Sequence, residues 1–169
     1  MIETCSRFAV ENLFTRVMRA PHRFRTVVVA SPFIDEFGIE LLMNLDHARG
    51  TFTLSVLTRP ETAAALRTRA WRRTSIRALE GLHAKLYAAL GEWSCEHEAV
   101  ITSANLTEAG LHANIEIGLR VTGSRREYVA LVEQVVRWST SRAAGHTLRP
   151  NQRRATDYGR DNEEPTRIR

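Results

Sequence analysis

A short β-branched run, TVVVAS at residues 26–31, is closed by Pro32. Apolar residues at successive positions indicate a strand buried on both faces, which is typical of a parallel or mixed sheet covered by helices. Strand and helix patterns then alternate: they predict helices at 36–46 and 60–71, and strands at 51–57 and 75–79. This β-α-β-α-β order predicts a layered α/β domain.

The pattern changes after Leu79, where three apolar segments follow with no room for a helix between the first two: 82–90, 98–104 and 114–122. Residues 91–97 have the composition of a hairpin loop, and 107–112 that of a longer turn. The fold class expected is therefore α/β with a mixed β-sheet flanked by helices. Two amphipathic stretches, 2–19 and 124–139, predict a first and a last helix that pack on this sheet.

The domain organisation follows from length and charge. A chain of 169 residues that is 43% hydrophobic can bury one core. Residues 140–169 contain seven Arg, two Asp and two Glu and almost no large apolar residues, which predicts a disordered basic tail after a domain at 1–139. The formal net charge of +5 favours a polyanionic partner, with nucleic acid as the leading candidate.

The sequence contains no pattern of export or membrane insertion. No charged N-terminal region precedes an apolar run with a cleavage site, and no apolar run approaches the roughly 20 residues that span a bilayer. Cys5 and Cys95, the two cysteines, do not make a disulfide framework. We therefore expect a cytoplasmic protein with no membrane partner, no metal and no cofactor.

Polar pairs with a spacing of two occur in each of the three late apolar segments. They are His83 and Lys85, then Ser103 and Asn105, then Asn114 and Glu116. Residues two apart on a strand share a face, so pairs on neighbouring strands are predicted to converge at one edge of the sheet. The simpler alternative is that these are solvated polar residues on half-exposed strands and in turns.

The chemistry of this set suits a phosphodiester. An imidazole can attack phosphorus, and a carboxylate can orient the imidazole. An ammonium and amide donors stabilise the negative charge that grows on the non-bridging oxygens. Lys85 is the only lysine among 24 Lys plus Arg, which indicates that a compact cation is required at this position. A Walker A loop is excluded because Lys85 stands between Ala84 and Leu86.

The motif His83-x-Lys85, followed by TSAN at 102–105 and Asn114-x-Glu116, resembles the phospholipase D superfamily, whose pattern is HxK, an Asp after four residues, GSxN and a downstream Glu. Residues 100–121, VITSANLTEAGLHANIEIGLRV, are especially similar to the nuclease-type members, and SPFID at 31–35 is similar to the opening strand of the family. The sequence departs from the pattern at Leu90, in place of Asp, and at Thr102, in place of Gly.

The resemblance implies a metal-independent phosphodiesterase, most simply a nuclease that cuts DNA or RNA through a phosphohistidine intermediate. It implies that His83 is the nucleophile, that Lys85 and Asn105 bind the phosphate oxygens, and that Ser103 assists through its hydroxyl. Glu116 would form a hydrogen bond with His83 and orient it. Because this chain has one HxK motif and the family uses two for each site, the resemblance also implies a homodimer with one composite site.

Two alternatives and two further expectations remain. The chain could be a catalytically degenerate module that binds nucleic acid or a partner protein, for which Leu90 and Thr102 are the support, or a phosphatidyl transferase acting on lipid. Arg72 and Arg73, in the basic cluster between residues 67 and 77, are candidates for substrate binding along a nucleic-acid backbone. The family also suggests a role in restriction or defence beside a helicase or other partner.

Overall fold

The computed structural model describes residues 1–5, 8–123 and 126–140. In the last range it describes only the backbone of residues 135 and 138–140. The strands in these ranges are β1 (Ile2–Cys5), β2 (Phe24–Ala30), β3 (Thr53–Thr58), β4 (Thr74–Ala78), β5 (Leu86–Gly91), β6 (Glu98–Thr102) and β7 (Gly118–Thr122). The α-helices are α1 (Phe8–Arg19), α2 (Glu36–His47), α3 (Pro60–Arg67) and α4 (Arg126–Thr140). The predicted tail at 140–169 lies outside the described residues except for Thr140.

The seven strands form one sheet in the order β1-β7-β6-β5-β2-β3-β4. Strands β2, β3 and β4 are parallel, whereas β5, β6, β7 and β1 each run antiparallel to their neighbours. The predicted mixed sheet is confirmed. The parallel strands β2, β3 and β4 are separated in sequence by helices, which provide the long crossover connections that parallel pairing requires. The antiparallel strands β5, β6 and β7 follow one another with no α-helix between them.

Helices cover the two faces of the sheet unequally. Val27 and Val29 of β2 face a core that α1, α2 and α3 share, while Val28 and Ala30 face a smaller core closed by Val132 and Val136 of α4. The consecutive apolar residues 27–30 of β2 need apolar cover on both faces of the sheet, and they have it. Among the described helices, none is long and apolar enough to span a membrane.

The N-terminal prediction is wrong for the first residues of the 2–19 stretch. Ile2–Cys5 is the strand β1, which pairs with β7 from Ile2 opposite Val121 to Cys5 opposite Gly118. Exposure alternates along β1, the period of a strand, and the helical pattern of buried residues begins only at Ala9. The first four residues therefore extend the sheet beyond β7, and α1 packs beside them.

The polar pairs lie outside the strands on which they were predicted. Strand β5 begins at Leu86, which pairs with Ala30 at the end of β2, so the chain before Leu86 has no further partner in β2. Strand β6 likewise ends at Thr102, and β7 begins opposite it at Gly118. The pairs thus occupy the segments that enter β5, leave β6 and enter β7.

A buried carboxylate joins α2 to the start of β4. Asp46 is fully buried and accepts hydrogen bonds from the backbone nitrogens of Arg72 (2.7 Å) and Arg73 (3.0 Å) and from Oγ1 of Thr74 (2.6 Å). Burial acts to raise the pKa of Asp46, but these hydrogen bonds outweigh it and hold the pKa below its usual value of 3.8. The ionised carboxylate therefore stabilises the fold.

Replacing Asp46 with asparagine should lower the free energy of unfolding by about 2–4 kcal/mol at neutral pH, because the amide brings donors to a site that needs acceptors. Since the folded pKa lies below the unfolded one, the stabilisation by the carboxylate is complete above about pH 5 and declines as the pH falls below about 4. Urea unfolding of wild type and Asp46→Asn across this range measures the difference. Glu40→Gln, on the exposed side of α2, is the matched control, and a difference that grows on acidification would contradict the assignment.

Candidate active site

Three loop segments meet at one edge of the sheet, because β5 and β7 begin where β6 ends. The backbone nitrogen of Thr102 donates to the carbonyl oxygen of Lys85 at 3.1 Å, and that of Ser103 donates to the carbonyl oxygen of Ile117 at 3.1 Å. These bonds continue the pairing by one residue on each side of β6. The structure thus brings His83 and Lys85 close to Ser103, and Glu116 and Asn114 beside Ser103, from loops and not from strands.

A cleft of about 610 Å³ opens at this edge, and His83, Lys85 and Ser103 line it. The ring of His83 is exposed, and Lys85 is half-buried. Within the described part of the chain, neither side chain has a hydrogen-bond or ion-pair partner. An exposed imidazole and an ammonium that form no ion pair with a carboxylate of the described residues are suited to contact a phosphate group from solvent.

The remaining walls of the cleft are mostly apolar. They include three aliphatic side chains that no other part of the described structure covers fully. These are Ile101 of β6 (40% exposed), Ile117 just before β7 (71%) and Leu119 of β7 (46%). Ile101 and Leu119 are paired across β6 and β7 on the face that α4 covers further along the strands. An uncovered aliphatic surface therefore adjoins His83.

Glu116 contacts Ser103 in this structure. The hydroxyl of Ser103 donates to Oε2 of Glu116 and accepts from the backbone nitrogen of Ile117 at 3.2 Å. The amide of Asn114 donates to Oε1 of Glu116 at 3.4 Å. The predicted hydrogen bond between Glu116 and His83 is not formed among the described residues. The carboxylate instead joins the two ends of the connection between β6 and β7.

Asn105 lies in a closely packed turn. Asn105 is half-buried and is not among the residues that line the cleft, and its side-chain oxygen is buried with no hydrogen-bond partner among the described residues. A Cβ on Gly110 would lie 2.6 Å from the carbonyl oxygen of Asn105, which explains why glycine stands there. The turn holds a donor suited to a phosphate oxygen.

Buried hydrogen bonds fix the turn that contains Asn105. The hydroxyl of Tyr87, on the fully buried side of β5, donates to the carbonyl oxygen of Ala104 at 3.0 Å. Burial raises the pKa of Tyr87 well above its usual range, so the phenol stays a donor at neutral pH. The backbone nitrogen of Leu106 donates to Oγ of Ser31 at 2.9 Å, which ties the same turn to the loop after β2.

Both departures from the family pattern have local explanations. Leu90 is near the far end of β5 from Lys85 and packs at the margin of the α4 core, where an aliphatic side chain fits. Thr102 uses its hydroxyl to donate to the carbonyl oxygen of Ile117 (3.1 Å) and to accept from the backbone nitrogen of Ala104 (3.2 Å). Its Cβ faces Gly118, which has no side chain to collide with it.

Arg72 and Arg73 are not brought to the cleft. Strand β4 runs parallel to β3 and β2, so its end lies at the same edge of the sheet as His83. Arg72 and Arg73 precede the start of β4 and therefore lie at the edge opposite the cleft. The guanidinium of Arg73 donates to the carbonyl oxygens of Ala48 (2.7 Å) and Gly50 and lies 5.0 Å from the ring of Phe52. Arg73 thus contributes to the fold, while a substrate contact by exposed Arg72 stays a prediction.

Two residues at the same edge of the sheet as His83 are not among the predicted site residues. Phe33 follows the end of β2, and Arg59 follows the end of β3. The guanidinium of Arg59 lies 4.8 Å from the centroid of the Phe33 ring, and its Nε donates to the carbonyl oxygen of Leu82 at 3.1 Å. Their position directly after the first two parallel strands is the signal that would have found them, because loops at that edge form sites in α/β sheets.

The fold matches several solved structures. NucT from Helicobacter pylori gives a TM-score of 0.55 at 11% identity, over 82% of this chain and 94% of that one. Nuc from Salmonella typhimurium, a phospholipase D family member, gives a TM-score of 0.51 at 11% identity, over 82% of this chain and 93% of that one. The yeast tyrosyl-DNA phosphodiesterase gives a TM-score of 0.54 at 8% identity, over 88% of this chain and 40% of that one.

No protein-family model and no curated protein matches the sequence, so the similarity lies in the fold. That fold, a mixed seven-stranded sheet flanked by helices, is shared with Nuc, a phospholipase D family member, and it agrees with the fold that the resemblance of the motifs implied. In extent the chain corresponds to NucT and Nuc, which it covers almost completely, whereas it corresponds to less than half of tyrosyl-DNA phosphodiesterase.

Proposed function

We propose that the protein is a metal-independent phosphodiesterase, a nuclease that hydrolyses DNA or RNA through a phosphohistidine intermediate. The observation that supports this most is the convergence of His83, Lys85 and Ser103 on one cleft from two separate loops. Unrelated solvated residues are not expected to bring an imidazole, an ammonium and a hydroxyl together in one cleft. The fold of the phospholipase D superfamily adds to the support.

The roles follow from the chemistry of each group. Nε2 of His83 attacks phosphorus and forms a P–N bond, the bond from phosphorus to the leaving oxygen breaks, and that oxygen takes a proton from a second acid. Water then attacks the phosphohistidine, gives a proton to the same acid and releases the histidine. Lys85 and the amide nitrogen of Asn105 bind the non-bridging oxygens as their charge grows.

A second copy of this chain is the proposed source of the acid. One copy contributes one His83, and the mechanism needs two imidazoles. The exposed aliphatic side chains of Ile101, Ile117 and Leu119 beside His83 provide a surface that a second copy would cover. An interface through this surface, related by a two-fold axis, brings the two His83 rings towards each other.

Nucleic acid is the proposed substrate because of charge. The chain has a formal net charge of +5, which favours a polyanion. One structural neighbour is by name a tyrosyl-DNA phosphodiesterase. A role in restriction or defence, and a helicase partner, stay predictions that rest on the family resemblance.

Cleavage in the presence of a chelator tests the proposal. Purified protein incubated with EDTA should cut plasmid or oligonucleotide substrates at a rate that the chelator does not reduce, since Lys85 and Asn105 supply the stabilising groups. Gel analysis of DNA and RNA, single- and double-stranded, measures this. Activity that disappears with EDTA and returns with Mg²⁺ would contradict the metal-independent mechanism, and no cleavage of any diester would favour the degenerate binding module.

A further inference from the structure

An exposed aromatic ring lies at the same edge of the sheet as the proposed catalytic histidine. Phe33 is 49% exposed, although it belongs to a loop whose neighbouring residues Ser31 and Pro32 are buried. We propose that Phe33 and Arg59 form a base-stacking subsite for the nucleotide next to the cleaved phosphate, which makes unpaired nucleic acid the preferred substrate. This inference rests on the proposed nuclease function.

The loop that presents Phe33 is fixed by hydrogen bonds on both sides. The hydroxyl of Ser31 donates to the carbonyl oxygen of Phe33 at 2.7 Å. The hydroxyls of Thr58 and Thr62 both donate to the carbonyl oxygen of Pro32, at 3.3 Å and 3.2 Å. These hydrogen bonds hold the backbone at two successive residues, so the loop keeps the ring at the surface. Little conformational entropy of the loop is therefore lost when a base stacks on the ring.

Arg59 connects the ring to the catalytic loop. Its guanidinium lies over the Phe33 ring, and its Nε donates to the carbonyl oxygen of Leu82, the residue that precedes His83. One side chain thus contacts both the ring and the backbone of the residue that precedes the catalytic histidine. Within the described residues, no carboxylate forms an ion pair with Arg59, so its charge is available to a phosphate group.

This combination is specific for a nucleotide chain. A base stacks on an aromatic ring whatever its identity, while the neighbouring cation attracts the backbone phosphate. A base that is paired and stacked in a duplex does not present its face to such a ring, so single strands or frayed ends should bind better. An acidic peptide would use the charge of Arg59 but not the ring.

Binding of a fluorescently labelled single-stranded oligonucleotide, measured by anisotropy in the His83→Ala background to prevent cleavage, tests the subsite. Phe33→Ala should weaken binding about 5- to 150-fold, the effect of losing one stacked base. Phe33→Trp should retain it, and Phe33→Leu should not, although leucine keeps the apolar surface. Trp93→Ala is the matched control, because Trp93 is 71% exposed in the loop between β5 and β6 at the opposite edge of the sheet.

An oligonucleotide with one abasic position, moved along the chain, makes the test independent of folding. The protein with Phe33 intact should lose affinity when the abasic position is next to the phosphate that would be cleaved. Phe33→Ala should show no such loss. Equal affinity of Phe33→Ala and its parent, or an unchanged abasic profile, would overturn the subsite. If His83-dependent cleavage persists in that case, only the subsite fails; if Phe33-dependent binding is seen without any cleavage, the nuclease proposal fails instead.

Discussion

His83→Ala is expected to lower the rate of phosphodiester cleavage at least about 10⁴-fold, the scale of loss when an enzyme is deprived of its nucleophile. Alanine removes both the atom that attacks phosphorus and, from the second copy, the acid that protonates the leaving oxygen. Lys85 and Asn105 would still bind the phosphate, so affinity for the oligonucleotide should change much less than kcat. Single-turnover cleavage and anisotropy together measure this separation.

The control for His83→Ala is His22→Ala, which removes another exposed histidine from the turn before β2 at the opposite edge of the sheet. It should cleave as fast as wild type. Stopping the wild-type reaction in alkaline detergent should trap labelled substrate on the protein, and His83→Ala should trap none. Retention of a tenth or more of the activity by His83→Ala would exclude this histidine as the nucleophile.

Much of the fold could be predicted because local pattern and tertiary environment agree. Residues 27–30 are apolar at every position, and the structure gives them apolar cover on both faces of the sheet. Residues 2–5 were misassigned because four residues adjoining an amphipathic helix carry too little pattern to show a strand. Their pairing with β7 depends on a segment more than 100 residues away, and no local window contains that information.

The candidate site could be predicted in part of its membership but not in its contacts. The order of three polar pairs on successive segments sufficed to bring His83, Lys85 and Ser103 together, because antiparallel neighbours return to the same edge. The partner of Glu116 could not be predicted, since the positions of loop side chains depend on where each strand ends. Arg72 was selected by charge density alone, which does not distinguish the two edges of a sheet.

A second large effect is expected from Leu119→Asp. Leu119 is 46% exposed on β7 beside the cleft, so the substitution should disturb the isolated subunit little but place a charge in the proposed dimer interface. Wild type should sediment as a dimer and the variant as a monomer. Without the imidazole of a second copy as general acid, cleavage should fall about 10²- to 10⁴-fold. Trp93→Asp, at the opposite edge of the sheet, should remain dimeric and active.

Leu119→Asp could lose activity because the dimer dissociates or because the new aspartate disturbs the cleft. Mixed dimers of wild type and His83→Ala distinguish these two causes. When wild type and His83→Ala are co-expressed in equal amounts, a composite site is complete only if both subunits are wild type. Activity per total protein should then be about one quarter of the wild-type value, whereas independent sites in each subunit would give about one half. Because this ratio involves no substitution at the interface, a value of one half would refute the shared site even if Leu119→Asp were inactive.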